Sequence, residues 1–234
     1  MNKNAFASAI LCLIISHPIQ PDCLFNTHIW NIGQGSWTTF VKPGHCLHLD
    51  VGGEKFPWQA LQELCKGKQN MILISHPDWD HINGLIILKQ RFTNLCRGPS
   101  YPWQKLGYRN LPPCLRQPEL KILYQGESQQ QGNADSWVYL LKGKLIIPGD
   151  SLKNQEQKWS RQLNRMAKIL ILGHHGSNTS SSEVLLTRVK IDLAIASARK
   201  SKYGHPHPKV KARLKKHHIP LITTEDWGHI HLQL

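Results

Sequence analysis

Ser75-His76-Pro77-Asp78-Trp79-Asp80-His81 packs two imidazoles and two carboxylates into its last six residues. Divalent cations such as Zn²⁺ and Mn²⁺ take such nitrogen and oxygen donors readily. The stretch before it, NMILIS over 70–75, is a continuous apolar run of the kind expected of a strand buried on both faces. The stretch after it, 82–91, has helical spacing. Strand, donor-rich loop and helix is the order that places side chains at the mouth of a sheet. Taken alone, the loop could equally be a polar turn with capping aspartates.

Polar residues recur where other apolar runs end: Asp50, Asp150 in a Pro-Gly-Asp turn, His174-His175 and His205. Strands are expected over 27–32, 37–41 and 46–51, then a helix over 56–65. The stretch 95–118, rich in Gly, Pro, Tyr and Arg, reads as a long irregular excursion. Strands over 119–124, 136–141 and 144–147 follow, then a helix over 155–165 and a strand over 167–172. A helix over 182–189, a strand over 191–197, a basic helix over 209–217 and strands over 221–224 and 229–234 complete the chain. Mixed strands and helices in this order indicate an α/β protein of two sheets with helices outside. Five strand ends then deliver candidate cation donors to one rim.

The chain has 234 residues, 40% of them hydrophobic, with 17 Gly and 14 Pro, no repeat and no low-complexity linker, which fits one globular domain. Its 29 Lys and Arg against 15 Asp and Glu give a net charge of +14, a field that attracts polyanions. Lys3 followed by the apolar run 5–15 has the form of a signal peptide, too short to span a bilayer comfortably. A signal peptide or N-terminal anchor over 1–22 and a single domain over 23–234 are therefore expected. The product would be periplasmic or secreted, or associated with a membrane through its first segment. The six cysteines, at 12, 23, 46, 65, 96 and 114, form no C-x-x-C pair, which argues against a thiolate zinc knuckle. In an exported protein, one or two disulfides are expected among them, with the pairing open.

The set of motifs resembles the metallo-β-lactamase superfamily, and within it the extracytoplasmic domain of ComEC-type DNA-uptake proteins, here as a stand-alone exported domain. The superfamily's H-x-H-x-D-H has its second histidine replaced by aspartate in ComEC-type domains, as in His76-Pro77-Asp78-Trp79-Asp80-His81. The other matching segments are Asn31-Ile32-Gly33-Gln34-Gly35-Ser36, Asp50-Val51-Gly52-Gly53, Pro148-Gly149-Asp150, His174-His175-Gly176-Ser177-Asn178-Thr179-Ser180 and Tyr203-Gly204-His205-Pro206. They cover roughly residues 26–234. Two departures stand out: the D-V-G-Q-G-D of ComEC-type domains has lost both acids, leaving Asn31 and Ser36. A β-lactamase proper is disfavoured, because Asp78 stands where those enzymes need histidine.

The resemblance implies an αββα sandwich of two mixed sheets with outer helices, and two divalent metal ions, Zn²⁺ or Mn²⁺. It gives His76, Asp78 and Asp150 to one ion, with Asp150 bridging, and Asp80, His81, Asp150 and either His174 or His175 to the other. Asp80 would also orient the attacking water, and His205 would act at the rim as a ligand or on the scissile phosphate. Asp50 supports the ligand histidines from behind, and Asn31 lies near it in this scheme. Ser177, Asn178, Thr179, Lys202 and Tyr203 are the expected substrate contacts, with backbone N–H groups near Ser182 open to an anion. Arg199, Lys202 and the 209–217 helix are a candidate phosphate track, and Trp79 either stacks on a base or walls the site. The expected activity is a phosphodiesterase or nuclease acting on DNA. The rivals are an esterase for phosphorylcholine or another phosphoester, and a non-catalytic DNA-binding module.

Overall fold

The computed structural model describes residues 26–126, 132–164 and 168–234. The expected leader over 1–22, Cys12 and Cys23 lie outside the described residues. The strands are β1 (Asn26–Ile29), β2 (Gly35–Lys42), β3 (His45–Gly53), β4 (Gln69–Leu73), β5 (Leu95–Arg97), β6 (Leu120–Tyr124), β7 (Val138–Leu141), β8 (Leu145–Ile147), β9 (Lys168–Ile171), β10 (Ile191–Ala196), β11 (Leu221–Thr223) and β12 (Ile230–Gln233). They form two six-stranded sheets, ordered β12-β1-β2-β3-β4-β5 and β11-β10-β9-β8-β7-β6. Both are mixed. In the first sheet β3, β4 and β5 run parallel and the other pairings are antiparallel. In the second, β8 through β11 run parallel while β6, β7 and β8 pair antiparallel.

Side-chain alternation along the strands builds the layers. Met71 and Leu73 of β4 join Ile169 and Ile171 of β9 in the core between the sheets. On the outer face of the first sheet, Ile72 and Ile74 meet Leu61 of α1 (Trp58–Cys65), Ile82 of α2 (Trp79–Ile82) and Leu85 and Leu88 of α3 (Leu85–Arg91). On the outer face of the second, Leu170 and Leu172 meet Trp159 of α4 (Lys153–Trp159) and Leu185 and Leu186 of α5 (Glu183–Arg188). Two short helices are α6 (Lys200–Tyr203) and α8 (Thr224–Trp227), and between them α7 (Pro208–Lys216) adds Val210 and Leu214 to the same layer. The result is helices, sheet, sheet, helices, as expected. Because β4 and β9 are covered on both faces, their sequences read as unbroken apolar runs. Truncating wholly buried Ile72 to Ala would cost about 2–5 kcal/mol.

The outer face of the first sheet also holds a buried polar ladder. Trp30 Nε1 donates to Thr39 Oγ1 (2.8 Å), Thr39 Oγ1 meets His48 Nδ1 (3.0 Å), and His48 Nε2 meets Asn70 Oδ1 (3.0 Å). Burial pushes His48 down to about 4, so it sits there as a neutral ring.

Three expectations need correction. The stretch 95–118 is not wholly irregular: it holds β5 and a 3₁₀ segment, Lys105–Asn110. The helix expected over 82–91 begins at Leu85, and the donor loop itself carries a helical turn over Trp79–Ile82. The two part where Gly84 donates its N–H to the Val51 carbonyl (2.7 Å), beside an Asn83 side chain that accepts from Gly53 N (2.9 Å) and donates to its carbonyl (2.9 Å). The 155–165 helix begins earlier and ends at Trp159, giving way to a 3₁₀ turn over Ser160–Gln162. Two disulfides resolve the open pairing: Cys46–Cys65 ties β3 to α1, and Cys96–Cys114 ties β5 to the loop after it. Each closes a loop, with sequence separations of 19 and 18, and in the chain-entropy account each contributes about 3 kcal/mol. No helix among the described residues is long and apolar enough to cross a membrane.

Candidate metal centre

The two sheets bring their strand ends to one rim. His76 follows β4, Asp80 and His81 ride on α2, Asp150 follows β8, His174-His175 follows β9, and His205 follows α6. The glycine motifs let this rim close. A Cβ on Gly52 would lie 2.4 Å from the backbone of Asp80 and His81, and one on Gly35 would lie 2.3 Å from Gly52 O. Only glycine at both positions lets α2 seat directly on β3. Asp50, His174 and His175 all adopt left-handed backbone, with φ of 54°, 49° and 54°. Such conformations cost about 1–3 kcal/mol each in non-glycine residues and persist where their surroundings hold them.

Asp150 sits at the centre. Its Oδ1 lies 3.1 Å from His81 Nε2 and 3.8 Å from His175 Nε2, while its Oδ2 lies 3.8 Å from His76 Nε2 and 3.6 Å from His174 Nε2. Each carboxylate oxygen thus faces a different pair of imidazoles. Asp80 Oδ2 approaches His175 Nε2 at 3.0 Å, and Asp78 Oδ2 approaches His76 Nε2 at 3.4 Å. Two donor groups are tight enough to share an ion: His76, His81 and Asp150, and Asp80, His81 and His175. The choice left open between the adjacent histidines resolves by position. His175 faces Asp80 and His81, whereas His174 stands on the His76 side.

The rings are presented with Nε2 inward. His175 Nδ1 meets the carbonyl of Ser197 (2.9 Å), an acceptor only, so Nδ1 carries a proton and Nε2 is the atom turned to the cluster. Asp50 Oδ2 takes His81 Nδ1 (2.8 Å) to the same effect, while its carboxylate also accepts from Ser75 N (2.7 Å) and Ser75 Oγ (2.9 Å). The two Nε2 atoms of His81 and His175 then lie 3.3 Å apart. Two ring nitrogens and the carboxylates of Asp80 and Asp150 converging on one point suit a cation between them.

The charges agree. Burial alone would raise Asp150, yet His81, His175 and His76 hold its carboxyl well below the usual range. Burial likewise opposes charge on His81 and His175, but Asp150 with Asp50, and Asp150 with Asp80, raise both above an ordinary histidine. Asp80 is lowered against burial by His175 and His81, and Asp78 chiefly by its hydrogen bond with His76. His174 and His205 are lowered by burial. His76 Nε2 and Asp150 Oδ1 are buried without a hydrogen-bond partner, the mark of a donor set that fits a metal ion. This acidic island lies in a chain of net charge +14.

The expected substrate contacts fare unevenly. Thr179 Oγ1 meets His174 Nδ1 (3.0 Å) and Ser177 Oγ (3.0 Å), so these two hydroxyls orient His174, with Asn133 Nδ2 also on that ring (3.2 Å). Asn178 Oδ1 accepts from Arg213 Nη1 (2.9 Å), and Arg213 also binds the carbonyls of Ser180 and Ser181. Arg213 therefore braces a loop rather than extending a phosphate track. The backbone N–H groups of Ser181 and Ser182 are not open to an anion: the buried Glu156 carboxylate holds both, at 2.6 and 2.7 Å. Lys202 Nζ (3.0 Å), Tyr203 Oη (3.2 Å) and Arg199 Nη1 (3.1 Å) converge on Glu54, whose carboxyl falls to about 2 because these cations and the Gln34 N–H outweigh its burial. Asn31 hydrogen-bonds Gly33 N through its side chain and His229 Nδ1 through its own N–H, and touches none of the clustered histidines.

Sequence reading missed Glu54, Glu156, Ser75, Asn133 and Ser197. Only Glu54 carried a signal, as the acid following the paired glycines. The histidine–aspartate cluster opens into a cavity of about 720 Å³ lined by Asp80, His174 and His205 on one side and by Phe56, Trp79 and Tyr203 elsewhere. His205 Nδ1 is buried there without a hydrogen-bond partner.

No family model matches the chain. It is 26% identical to Recombination protein 2 of Haemophilus influenzae over 86% of its own length and 28% of that protein. It is 28% identical to Competence protein ComA of Neisseria gonorrhoeae over 84% of its length and 30% of that protein. A shorter stretch, 36% of the chain, is 38% identical to ComE operon protein 3 of Bacillus subtilis and covers 11% of it. The chain thus spans less than a third of the relatives it matches. In structure it is similar to the metallo-β-lactamase fold protein YhfI of Bacillus subtilis, with a TM-score of 0.57 at 12% identity over 89% of this chain and 99% of that one. It is also similar to a diphosphatase from the PhnP family, with a TM-score of 0.54 at 13% identity over 89% and 98%. The chain has the metallo-β-lactamase fold, and its relatives by sequence are competence and recombination proteins of the ComEC type.

Proposed function

We propose that the protein is a metal-dependent phosphodiesterase acting on DNA outside the cytoplasm. The observation that carries this reading is Asp150, whose two oxygens face two separate groups of imidazoles, with His174 and Asp80 beside it lining an open cavity. His76, Asp78, Asp150 and His174 would hold one divalent ion, and Asp80, His81, Asp150 and His175 the other. Bound there, Zn²⁺ or Mn²⁺ would supply Lewis acidity toward a phosphoryl oxygen and lower the pKa of water. Asp80, positioned by His175, orients the attacking water from the cavity side. His205 holds the scissile group at the rim, and Asp50 keeps the His81 ring in the tautomer that presents Nε2.

The competence and recombination relatives support DNA as the substrate, and the PhnP-family diphosphatase supports phosphoester chemistry on this fold. The net charge of +14 would concentrate a polyanion around the acidic centre. The two disulfides support an oxidising compartment, in keeping with the leader-like first segment. The test is degradation of plasmid and oligonucleotide DNA by the purified chain in Mn²⁺, Zn²⁺ or EDTA, beside Asp80→Ala. Metal-dependent degradation lost in the variant is expected. DNA bound but left intact in every metal would sink the enzyme reading in favour of a binding module. Turnover of p-nitrophenyl phosphorylcholine with DNA ignored would move it to a head-group esterase.

A further inference from the structure

Six large apolar side chains stand exposed among the described residues, and three of them, Trp79, Ile86 and Tyr203, line the cavity beside the metal cluster. Trp79 is 55% and Tyr203 45% exposed. Such rings are normally buried, and two of them at one cavity mark a recognition surface. Trp79 owes its position to the chemistry next to it. It opens α2, whose following residues Asp80 and His81 turn inward to the cluster, so the indole is left facing outward over the cavity. Phe56 and Ile87 extend its apolar wall.

A lysine accompanies each exposed ring. Lys105 Nζ lies 5.8 Å from the Trp79 ring centroid, and Lys202 Nζ lies 5.0 Å from that of Tyr203. The pairing selects among ligands. A quaternary ammonium head group is repelled by a cation already beside the ring and needs an uncompensated negative charge. Here a cation already attends each ring, and Glu54 is compensated by Arg199, Lys202 and Tyr203. A flat neutral ring on an anionic backbone suits the same walls: the ring stacks on the aromatic and the adjoining phosphate meets the lysine. In a double helix the faces of the bases are covered by their neighbours in the stack, so a stacking wall can be reached only by an unpaired base. A cavity of about 720 Å³ lies within the small-ligand range, which gives room for a single nucleotide.

Resting on the nucleic-acid reading above, we infer that Trp79 and Tyr203 form a subsite for unpaired nucleobases, making the protein selective for single-stranded or frayed DNA over closed duplex. Trp79 stacks a base next to the scissile phosphate and Tyr203 stacks another across the cavity. Lys105 and Lys202 receive the flanking phosphates, the latter by exchanging Glu54 for the ligand.

Binding is the measurement, in EDTA so that no turnover intervenes: fluorescence anisotropy of the full chain with labelled oligothymidylate and with a blunt duplex of equal length, at low salt. Trp79→Ala and Tyr203→Ala should each weaken single-strand binding by roughly 5- to 150-fold, the equivalent of one lost stack. Duplex binding should change less than about twofold, and Trp79→Phe should keep most of the affinity. Unchanged far-UV dichroism of the alanine variants guards against misfolding. Equal losses on both DNAs, or none on the single strand, overturn the subsite while leaving DNA as a ligand. Displacement of the oligonucleotide by phosphorylcholine better than by thymidine monophosphate overturns it too. If the unaltered chain binds neither DNA, the nucleic-acid reading itself fails and takes the subsite with it.

Discussion

Two clusters of histidine sit among the described residues, and only one is interleaved with carboxylates. At the candidate metal centre, those carboxylates raise His81 and His175 above an ordinary histidine. At the open edge of the first sheet, His28 of β1 faces His231 of β12, with His229 beside them packed edge-on to Trp30. His28 Nδ1 and His231 Nδ1 lie 2.6 Å apart, and His28 stacks on Trp30. Burial first, then His231 and His229, push His28 down to about 4, and burial and His231 lower His229. No aspartate or glutamate figures in these contacts. Crowded imidazoles oppose one another's protonation; the interleaved Asp50, Asp78, Asp80 and Asp150 supply the negative charge that favours a cation among them.

The contrast between the clusters breaks most severely at Asp150. Asp150→Asn keeps the shape but removes the charge both groups share. Metal content by elemental analysis should fall to background, and any hydrolytic activity should drop by more than about 100-fold, beyond what loss of a mere supporting group costs.

Acid should separate the clusters next. His28, lowered to about 4 in the folded chain, is neutral there while the unfolded chain takes up a proton below about 6.5. Its contribution is therefore complete above pH 6.5 and is lost as pH falls from 6.5 toward 4, by at most ~3 kcal/mol. Urea unfolding at two pH values should show this loss, and His28→Gln should flatten it. Over the same interval metal affinity at the centre should weaken, because protons compete for His81 and His175.

Asp50→Asn should weaken metal binding by about 10–100-fold in titration calorimetry, since the His81 ring loses its charged support. Smallest of all, His231→Ala should leave metal binding at the centre within about twofold. His229→Asp, which adds an acid to the edge cluster, should give a rise of a few degrees at most in Tm with added Zn²⁺. A large rise from Zn²⁺ at the unaltered edge would show that imidazoles can gather a cation without carboxylates among them.

How much of this was legible in the chain follows from how local each feature is. The donors at strand ends were readable because β4 and β9 are covered on both faces, so each appears as an apolar run that stops at a histidine. The glycine pairs were readable as turns, but not their reason, the backbone of Asp80 pressed against Gly52. The break between α2 and α3 escaped because Asn83-Gly84 continues the helical spacing, and what ends α2 is the Gly84 N–H turning to the carbonyl of Val51, far earlier in the chain. Glu156 escaped for a like reason: in sequence it is one polar helix residue among several, and only packing turns it onto Ser181 and Ser182. The division of labour between His174 and His175 was beyond local pattern, since two neighbours with left-handed backbone differ only in what surrounds them.

The pairing of β12 with β1 has a consequence for the order of events in the cell. Asn26 lies opposite Gln233 and Ile29 opposite Ile230, so β1 waits for β12. Whether the chain emerges from a ribosome or a translocation pore, N-terminal end first, the outer edge of β1 stays unsatisfied until the roughly two hundred residues up to β12 are out. For that interval it is an open template for any passing strand, and chaperone protection should matter most there.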